Sequence, residues 1–236
     1  MKYLKDQMGV MDADGSEDTL GSMLLVEQRL SEVLERLRML KAGDVDVLAR
    51  ADLLLDAGRL LVELGRGEEA WERSRAAFDL YASEESWEGA VQACDVMFQA
   101  DRPESLAALG QGLWLTITFP MDPELSVAML QHVIDETPPD SDGAAVAAVV
   151  ARYLVDMRAQ DRQREDLEFY TNQMLATVAR RHSDVDDQQA FDAWFRRLEL
   201  NDPARFLPRM RNVVDVLVQD EWWIDREELQ KKLPIH

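Results

Sequence analysis

Oxygen-bearing side chains recur at alternate positions near the start of the chain, which is how a calcium-binding loop surrounds its ion. They are Asp12, Asp14, Ser16 and Asp18. Such a loop also needs a glycine at its sixth position and a bidentate glutamate at its twelfth, where this sequence has Glu17 and Met23. We therefore interpret the run as part of a flexible acidic leader and predict no metal site in it.

The residues that build other catalytic or metal centres are also poorly spaced. The three histidines are His132, His182 and His236, and they form no His-x-x-x-His pair. The single cysteine, Cys94, cannot form a disulfide within the chain or a cysteine-built zinc site. No Gly-x-Ser-x-Gly turn occurs, and Gly-Gln-Gly at residues 110–112 lacks the rest of a phosphate-binding loop.

These absences predict a non-enzyme with no catalytic residue, metal or cofactor. Catalytic groups can lie far apart in sequence and still meet in the fold. An all-α enzyme or a small-molecule-binding protein therefore stays open as the alternative.

The net charge excludes some classes of partner. The chain carries 46 acidic and 26 basic residues, for a net charge of −20, and residues 1–150 hold 29 of the acidic and 12 of the basic ones. Such a field repels phosphate backbones and anionic lipids, so we expect neither nucleic acid nor a membrane as a partner. A lone cysteine suits a reducing compartment, and the first residues lack the apolar core of a secretory signal, so we predict a cytoplasmic protein.

The elements that would position binding residues are helices. Apolar residues recur every three or four positions in residues 23–41, the pattern of a helix with one buried face. Breaks rich in Gly, Pro, Ser and Asp divide the rest into segments of roughly 12–20 residues, which predicts about eleven helices. Residues 113–119 have β propensity but no hairpin turn, so we interpret them as the buried end of a helix. The sequence thus predicts an all-α fold.

Aspartates mark several of the expected helix starts. Asp101, Asp122 and Asp202 each stand one or two positions before a proline, and an aspartate N-cap followed by proline in the first turn favours a helix. Asp225 and Glu228 resemble a capping box. We expect these four aspartates to be N-caps.

Residues 51–82 combine two amphipathic segments with small residues where paired helices would approach closely. The residues expected at the close approach are Gly58, Ala70 and Ala77, with Gly65 at the turn, and the residues expected between the helices are Leu54, Leu61 and Phe78. This pattern resembles the tetratricopeptide repeat (TPR), a helical hairpin that stacks into a solenoid. The resemblance implies an array of antiparallel helical hairpins, a TPR-like α-solenoid. A non-repetitive α-helical domain with one chance match is the alternative.

The predicted organisation has three parts. A mobile acidic leader takes residues 1–22, the helical repeat domain residues 23–218, and a C-terminal capping helix residues 219–236. The TPR resemblance implies a non-catalytic protein–protein interaction module, namely an adaptor, scaffold or assembly chaperone that holds a partner segment on its concave face.

One row of the first helix in residues 51–82 is turned by helical geometry toward the open side of the hairpin. The row consists of Asp52, Leu55, Arg59, Val62 and Glu63. Its acidic members, in an acidic half of the chain, favour a basic or amphipathic protein or peptide as the partner. We predict that this row contacts the partner.

Two adjacent tryptophans near the C-terminus, Trp222 and Trp223, are the second candidate contact. Such a pair is either an aromatic hot spot for a partner or subunit, or the packing of a terminal cap. We include both residues among the candidate partner-binding residues. The arginines of the C-terminal part lie close to an acidic N-terminal half, so a structural, self-associating component is a further alternative.

Overall fold

The computed structural model describes residues 2–4, 16–40 and 46–233, and in these ranges the regular structure is entirely helical. The helices are α1 (Ser16–Met39), α2 (Val47–Glu63), α3 (Gly67–Ser83), α4 (Trp87–Gln99), α5 (Ser105–Thr118), α6 (Pro123–Glu136), α7 (Asp142–Arg158), α8 (Asp161–Ser183), α9 (Gln188–Arg197), α10 (Pro203–Val218) and α11 (Arg226–Lys232). The predicted all-α fold is confirmed. The stretch at residues 113–119 forms the end of α5, with Leu113 and Leu115 fully buried, as expected.

Three of the four predicted N-caps are confirmed. The side chains of Asp122, Asp202 and Asp225 each accept a hydrogen bond from a backbone N–H in the first turn, at 2.8–2.9 Å. The prediction for Asp101 is wrong, because α5 begins only at Ser105 and Asp101 has a positive φ of 51°. The Ser105 hydroxyl instead holds this turn, since it accepts from the Arg102 N–H and donates to the carbonyl of Met97.

The start of the chain differs from the predicted leader. Helix α1 begins at Ser16 and not at Met23. Residues 2–4 pack against the fold, where the Leu4 side chain is fully buried. The remaining leader residues, with Asp12 and Asp14 of the calcium-like run, lie outside the described residues.

Consecutive helices pack against each other from α1 to α9, and α2 also contacts α4 as α6 contacts α8. The predicted close approach at Gly58 is confirmed, because a Cβ there would collide with Ser74 Oγ and lie 3.5 Å from the carbonyl oxygen of Ala70. Ala70 and Ala77 are fully buried. The predicted inward side chains Leu54, Leu61 and Phe78 are buried as well.

The C-terminal helices do not extend the array. Helix α10 turns back and packs on α5 and α7, and Lys232 of α11 lies 2.7 Å from Glu85 in the turn between α3 and α4. Residues 219–236 contain the helix α11, as expected, but its role as a cap of the array stays a prediction. Local sequence signals predict where α10 begins. The packing of α10 on α5, however, depends on the absence of a side chain at Gly110, where a Cβ would lie 3.0 Å from the Cβ of Leu217.

Two surfaces result from this arrangement. We call the exposed surface of α2, α4 and α6 the open face, and the surface of α3, α5 and α7 that α10 and residues 219–233 contact the covered face. Among the described helices, none combines the length and apolar character that a bilayer span requires.

Candidate functional site

The open face contains a cleft of about 750 Å³ between α2, α4 and α6. Its walls come from three helices and the N-terminal segment: Lys2, Tyr3, Arg59, Val62, Glu63, Asp95, Val96, Phe98, Gln99, Ala128, His132, Asp135 and Glu136. A space of this size is within the range of ligand-binding clefts. One wall of this cleft therefore comes from α2, the helix that carries the predicted contact row.

Carboxylates dominate the charge of the helical walls. Glu63, Asp95, Asp135 and Glu136 face a single helical cation, Arg59. The Arg59 guanidinium is already engaged, since it donates to Gln92 Oε1 at 2.6 Å and lies 3.4 Å from Asp56 Oδ1. The cleft therefore favours a positively charged ligand.

An imidazole–carboxylate pair crosses the cleft from α6 to α4. Nε2 of His132 lies 2.7 Å from Oδ1 of Asp95, and the His132 ring is 4.6 Å from the ring of Phe98. The His132 side chain is nearly buried. Together with Val62 and Ala128, Phe98 gives the cleft an apolar strip beside its carboxylates. The site can thus bind a ligand that has both charged and apolar groups.

A second, smaller cleft of about 440 Å³ adjoins the first along α2 and shares Arg59 with it. Asp52 and Leu55 line this cleft. Asp52 accepts a 2.5 Å hydrogen bond from the Tyr81 hydroxyl, and burial together with this bond raises the pKa of Tyr81. Asp52 is thus engaged within the fold.

The predicted contact row divides between the two clefts. Arg59, Val62 and Glu63 line the larger cleft, as a partner contact requires. Leu55 does not fit the expectation of an open-side apolar contact, because only 2% of it is exposed and it belongs to the core. The buried apolar face of α2 is therefore wider than the TPR-like pattern predicted, and it includes Leu55.

The two tryptophans lie on the covered face. The Trp223 ring is 5.3 Å from the Phe78 ring and 6.0 Å from the Trp71 ring, both on α3. The Trp222 ring is 6.3 Å from the Trp114 ring of α5. Both indoles are partly buried in contacts within the chain. Their packing explains the aromatic pair without a partner.

A hydrogen-bonded Ser–His–Asp set joins the helices of the C-terminal part. His182 Nε2 is 3.2 Å from Asp142 Oδ1, and His182 Nδ1 is 2.7 Å from Ser183 Oγ and 3.2 Å from the Trp194 indole nitrogen. Arg209 pairs with Asp142 at 2.9 Å. These residues belong to α7, α8, α9 and α10, so we interpret the set as a polar tie between four helices rather than as a nucleophilic centre.

The sequence reasoning missed the α4 and α6 walls of the cleft. Asp95, Phe98 and His132 stand in two different helices and share no motif, so only the packing of α2, α4 and α6 brings them together.

No group of three or more metal-binding side chains is found in the ranges that the structure describes. Cys94 is buried, and burial raises the pKa of its thiol, which keeps it protonated at neutral pH. Comparison of the chain with protein-family models, with curated proteins and with solved structures gave no match. The functional assignment therefore depends on the geometry of the cleft.

Proposed function

We propose that the chain is a non-catalytic protein–protein interaction module whose open face binds a basic or amphipathic segment of a partner protein. In this proposal the helices α2 to α7 are TPR-like hairpins, with α2, α4 and α6 as the first helices that line the concave side. The serial packing of these helices and the close approach at Gly58 support that organisation. The role would be that of an adaptor, scaffold or assembly chaperone.

The observation that carries the proposal is the lining of the larger cleft. Four carboxylates on three helices stand beside an apolar strip of Val62, Phe98 and Ala128. Lysine and arginine side chains satisfy both, because their charged ends reach carboxylates while their methylene stems cover apolar surface. Complementary charge would also speed the encounter with such a partner.

The test is recovery of a partner from the native source with three forms of the protein. The cleft variant carries Glu63→Lys and Asp135→Lys, both exposed residues of the cleft. The matched control carries Glu72→Lys and Glu84→Lys, which make the same change in net charge at exposed positions of α3 and its C-terminal turn. The proposal predicts a protein that the native form and the control retain and that the cleft variant loses.

Salt dependence sharpens the same experiment. The retained protein should dissociate faster and associate more slowly as ionic strength rises from about 0.05 to 0.5 M, because the shorter Debye length screens the carboxylates of the cleft. Circular dichroism should show the same melting temperature for the cleft variant and the control. A partner that both variants lose equally, or that both retain, would contradict the proposal.

A further inference from the structure

A segment of this chain forms part of the wall of the larger cleft. Lys2 and Tyr3 line the cleft, and the Leu4 side chain that follows is fully buried in the same core cluster as Leu55 and Leu125. A leucine that loses all of its exposed surface contributes a favourable transfer free energy, so the segment is held as an anchored peptide would be. The open face therefore accepts one peptide segment beside the cleft.

Glu124 receives the backbone of that segment. Its Oε1 accepts hydrogen bonds from the Tyr3 N–H at 2.6 Å and from the Leu4 N–H at 3.1 Å. Two successive N–H groups that converge on one anion form a backbone nest. Glu124 is only 5% exposed, and a buried carboxylate is costly unless hydrogen-bond donors surround it.

Glu124 is also held in place from its own helix. It stands in the first turn of α6, where the partial positive charge of the helix end favours a carboxylate. Its N–H donates to Asp122, which in turn accepts from Gln163 at 3.1 Å. The Glu124 carboxylate is thus held in position by its own helix, and a bound peptide must donate backbone N–H groups to it.

We propose that residues 2–4 are a built-in competitor for the groove that they occupy beside the cleft, and that the partner segment carries the same chemistry. That chemistry is a basic residue, an aromatic residue and a leucine in succession, with the last two N–H groups bound to Glu124. The proposal rests on the proposed function, since it specifies the segment that the open face binds and adds that the chain's own segment must leave first.

The tether sets the strength of the competition. A segment joined to the fold by a short linker has an effective concentration of about 1 mM at its site. If the segment and a free peptide of the same sequence each have a dissociation constant of about 0.1 mM for the emptied site, the free peptide binds the native chain roughly tenfold more weakly, since the effective concentration is about ten times the segment's dissociation constant. Competition of this size largely prevents weak ligands from binding, whereas a strong ligand can still displace residues 2–4.

The experiment uses a fluorescent, N-acetylated peptide with the sequence Lys-Tyr-Leu-Lys-Asp-Gln, which is that of residues 2–7. Its anisotropy is measured with the native chain and with the full-length Leu4→Asp variant, whose segment should leave the cleft. We expect the variant to bind the peptide about tenfold more tightly than the native chain. Adding Glu124→Gln to the variant should weaken binding several-fold, because the anionic acceptor is lost.

Two controls keep the result interpretable. A peptide in which aspartate replaces its leucine should bind neither protein. Leu4→Ala removes most of the buried side chain without adding a charge, so it should shift binding in the same direction while circular dichroism checks its fold. Equal peptide binding by the native chain, Leu4→Asp and Leu4→Ala would overturn the inference, as would tight binding of the aspartate-containing peptide.

Failure of this inference can be separated from failure of the proposed function by a second peptide, in which lysine and leucine alternate. If that peptide binds the cleft and the Lys-Tyr-Leu peptide does not bind Leu4→Asp, the inference is overturned and the proposed function stands. If Glu63→Lys with Asp135→Lys leaves the binding of both peptides unchanged, the proposed function fails.

Discussion

The open and covered faces of this protein are built from alternate helices of one array, yet they differ in what fills them. On the covered face, α10 and two tryptophans pack on α3, α5 and α7. The fully buried Gln111 side chain donates to the backbone carbonyl of Glu221 and accepts from the backbone N–H of Trp223. On the open face, Lys2 and Tyr3 form part of the wall of a cleft whose other walls are mainly carboxylates and apolar groups.

The difference shows which aromatic and charged features mark a binding surface. Trp222 and Trp223 would suit a partner by composition, but Arg226 lies 3.7 Å from the Trp222 ring centre and Arg75 lies 4.1 Å from that of Trp223. Their cation–π and aromatic partners are within the chain. The carboxylates Glu63 and Asp135 remain exposed on the open face. We expect the covered face to supply stability and the open face to supply recognition.

The largest effect on stability should come from Gly110→Leu on the covered face. A side chain there would meet Val218 and the backbone nitrogen of that residue, 3.2 Å away, so α10 would have to move off α5. We expect a loss of about 3 kcal/mol or more in the free energy of unfolding. Urea denaturation measures it, with Gly21→Leu as the control, because nothing lies within 4 Å of a Cβ at Gly21. Equal stability of both variants would show that α10 is not packed on α5.

A smaller effect is expected for Trp223→Ala. The indole contacts two aromatic rings and a guanidinium but is partly exposed, so the loss should be about 2 kcal/mol, below the range for a fully buried tryptophan. Phe169→Ala is the control, since 67% of Phe169 is exposed. Thermal unfolding compares the two. A Trp223→Ala protein as stable as the control would return this residue to the candidate partner contacts.

The smallest effect concerns Tyr81, beside the open face. Tyr81→Phe removes the hydrogen bond to Asp52 and should cost about 1 kcal/mol near pH 7. Because burial and Asp52 raise the pKa of Tyr81 in the folded protein, its contribution is complete below the unfolded pKa of about 10 and falls as pH rises above that value.

The difference in unfolding free energy between the native protein and Tyr81→Phe should therefore shrink between about pH 9 and pH 11. Urea denaturation across this range measures it. Asp52→Asn keeps an acceptor for the hydroxyl and should retain most of the stability at pH 7. A difference that stays constant with pH would contradict the assigned contact.

Local signals in the sequence were sufficient for the helices and for one wall of the cleft. Asp122 and Asp202 cap the helices that they were expected to cap, and Gly58 lies at the expected close approach, because each effect depends on residues nearby in sequence. The prediction for Asp101 failed because the Arg102 N–H donates to the Ser105 hydroxyl, and this local bond holds the turn instead.

The long-range features could not be predicted in this way. The bonds from Tyr3 and Leu4 to Glu124 join residues about 120 positions apart, and the contact of α10 with α5 spans a similar length of chain. Apolar periodicity and helix-capping residues do not predict such pairings, because the pairings depend on the complete packing of the helices. The α4 and α6 walls of the cleft were missed for the same reason.

Amide shift mapping by NMR tests most directly whether the open face recognises basic, amphipathic segments. The native protein and the Leu4→Asp variant, whose N-terminal segment should not compete, are each titrated with a hexapeptide in which lysine and leucine alternate. We expect saturable shifts that are largest around Val62, Phe98 and Ala128, that diminish with added salt, and that leave the indole signals of Trp222 and Trp223 unchanged. Saturable shifts at those two indoles with none on α2, α4 and α6, or no saturable shift at all, would contradict this expectation.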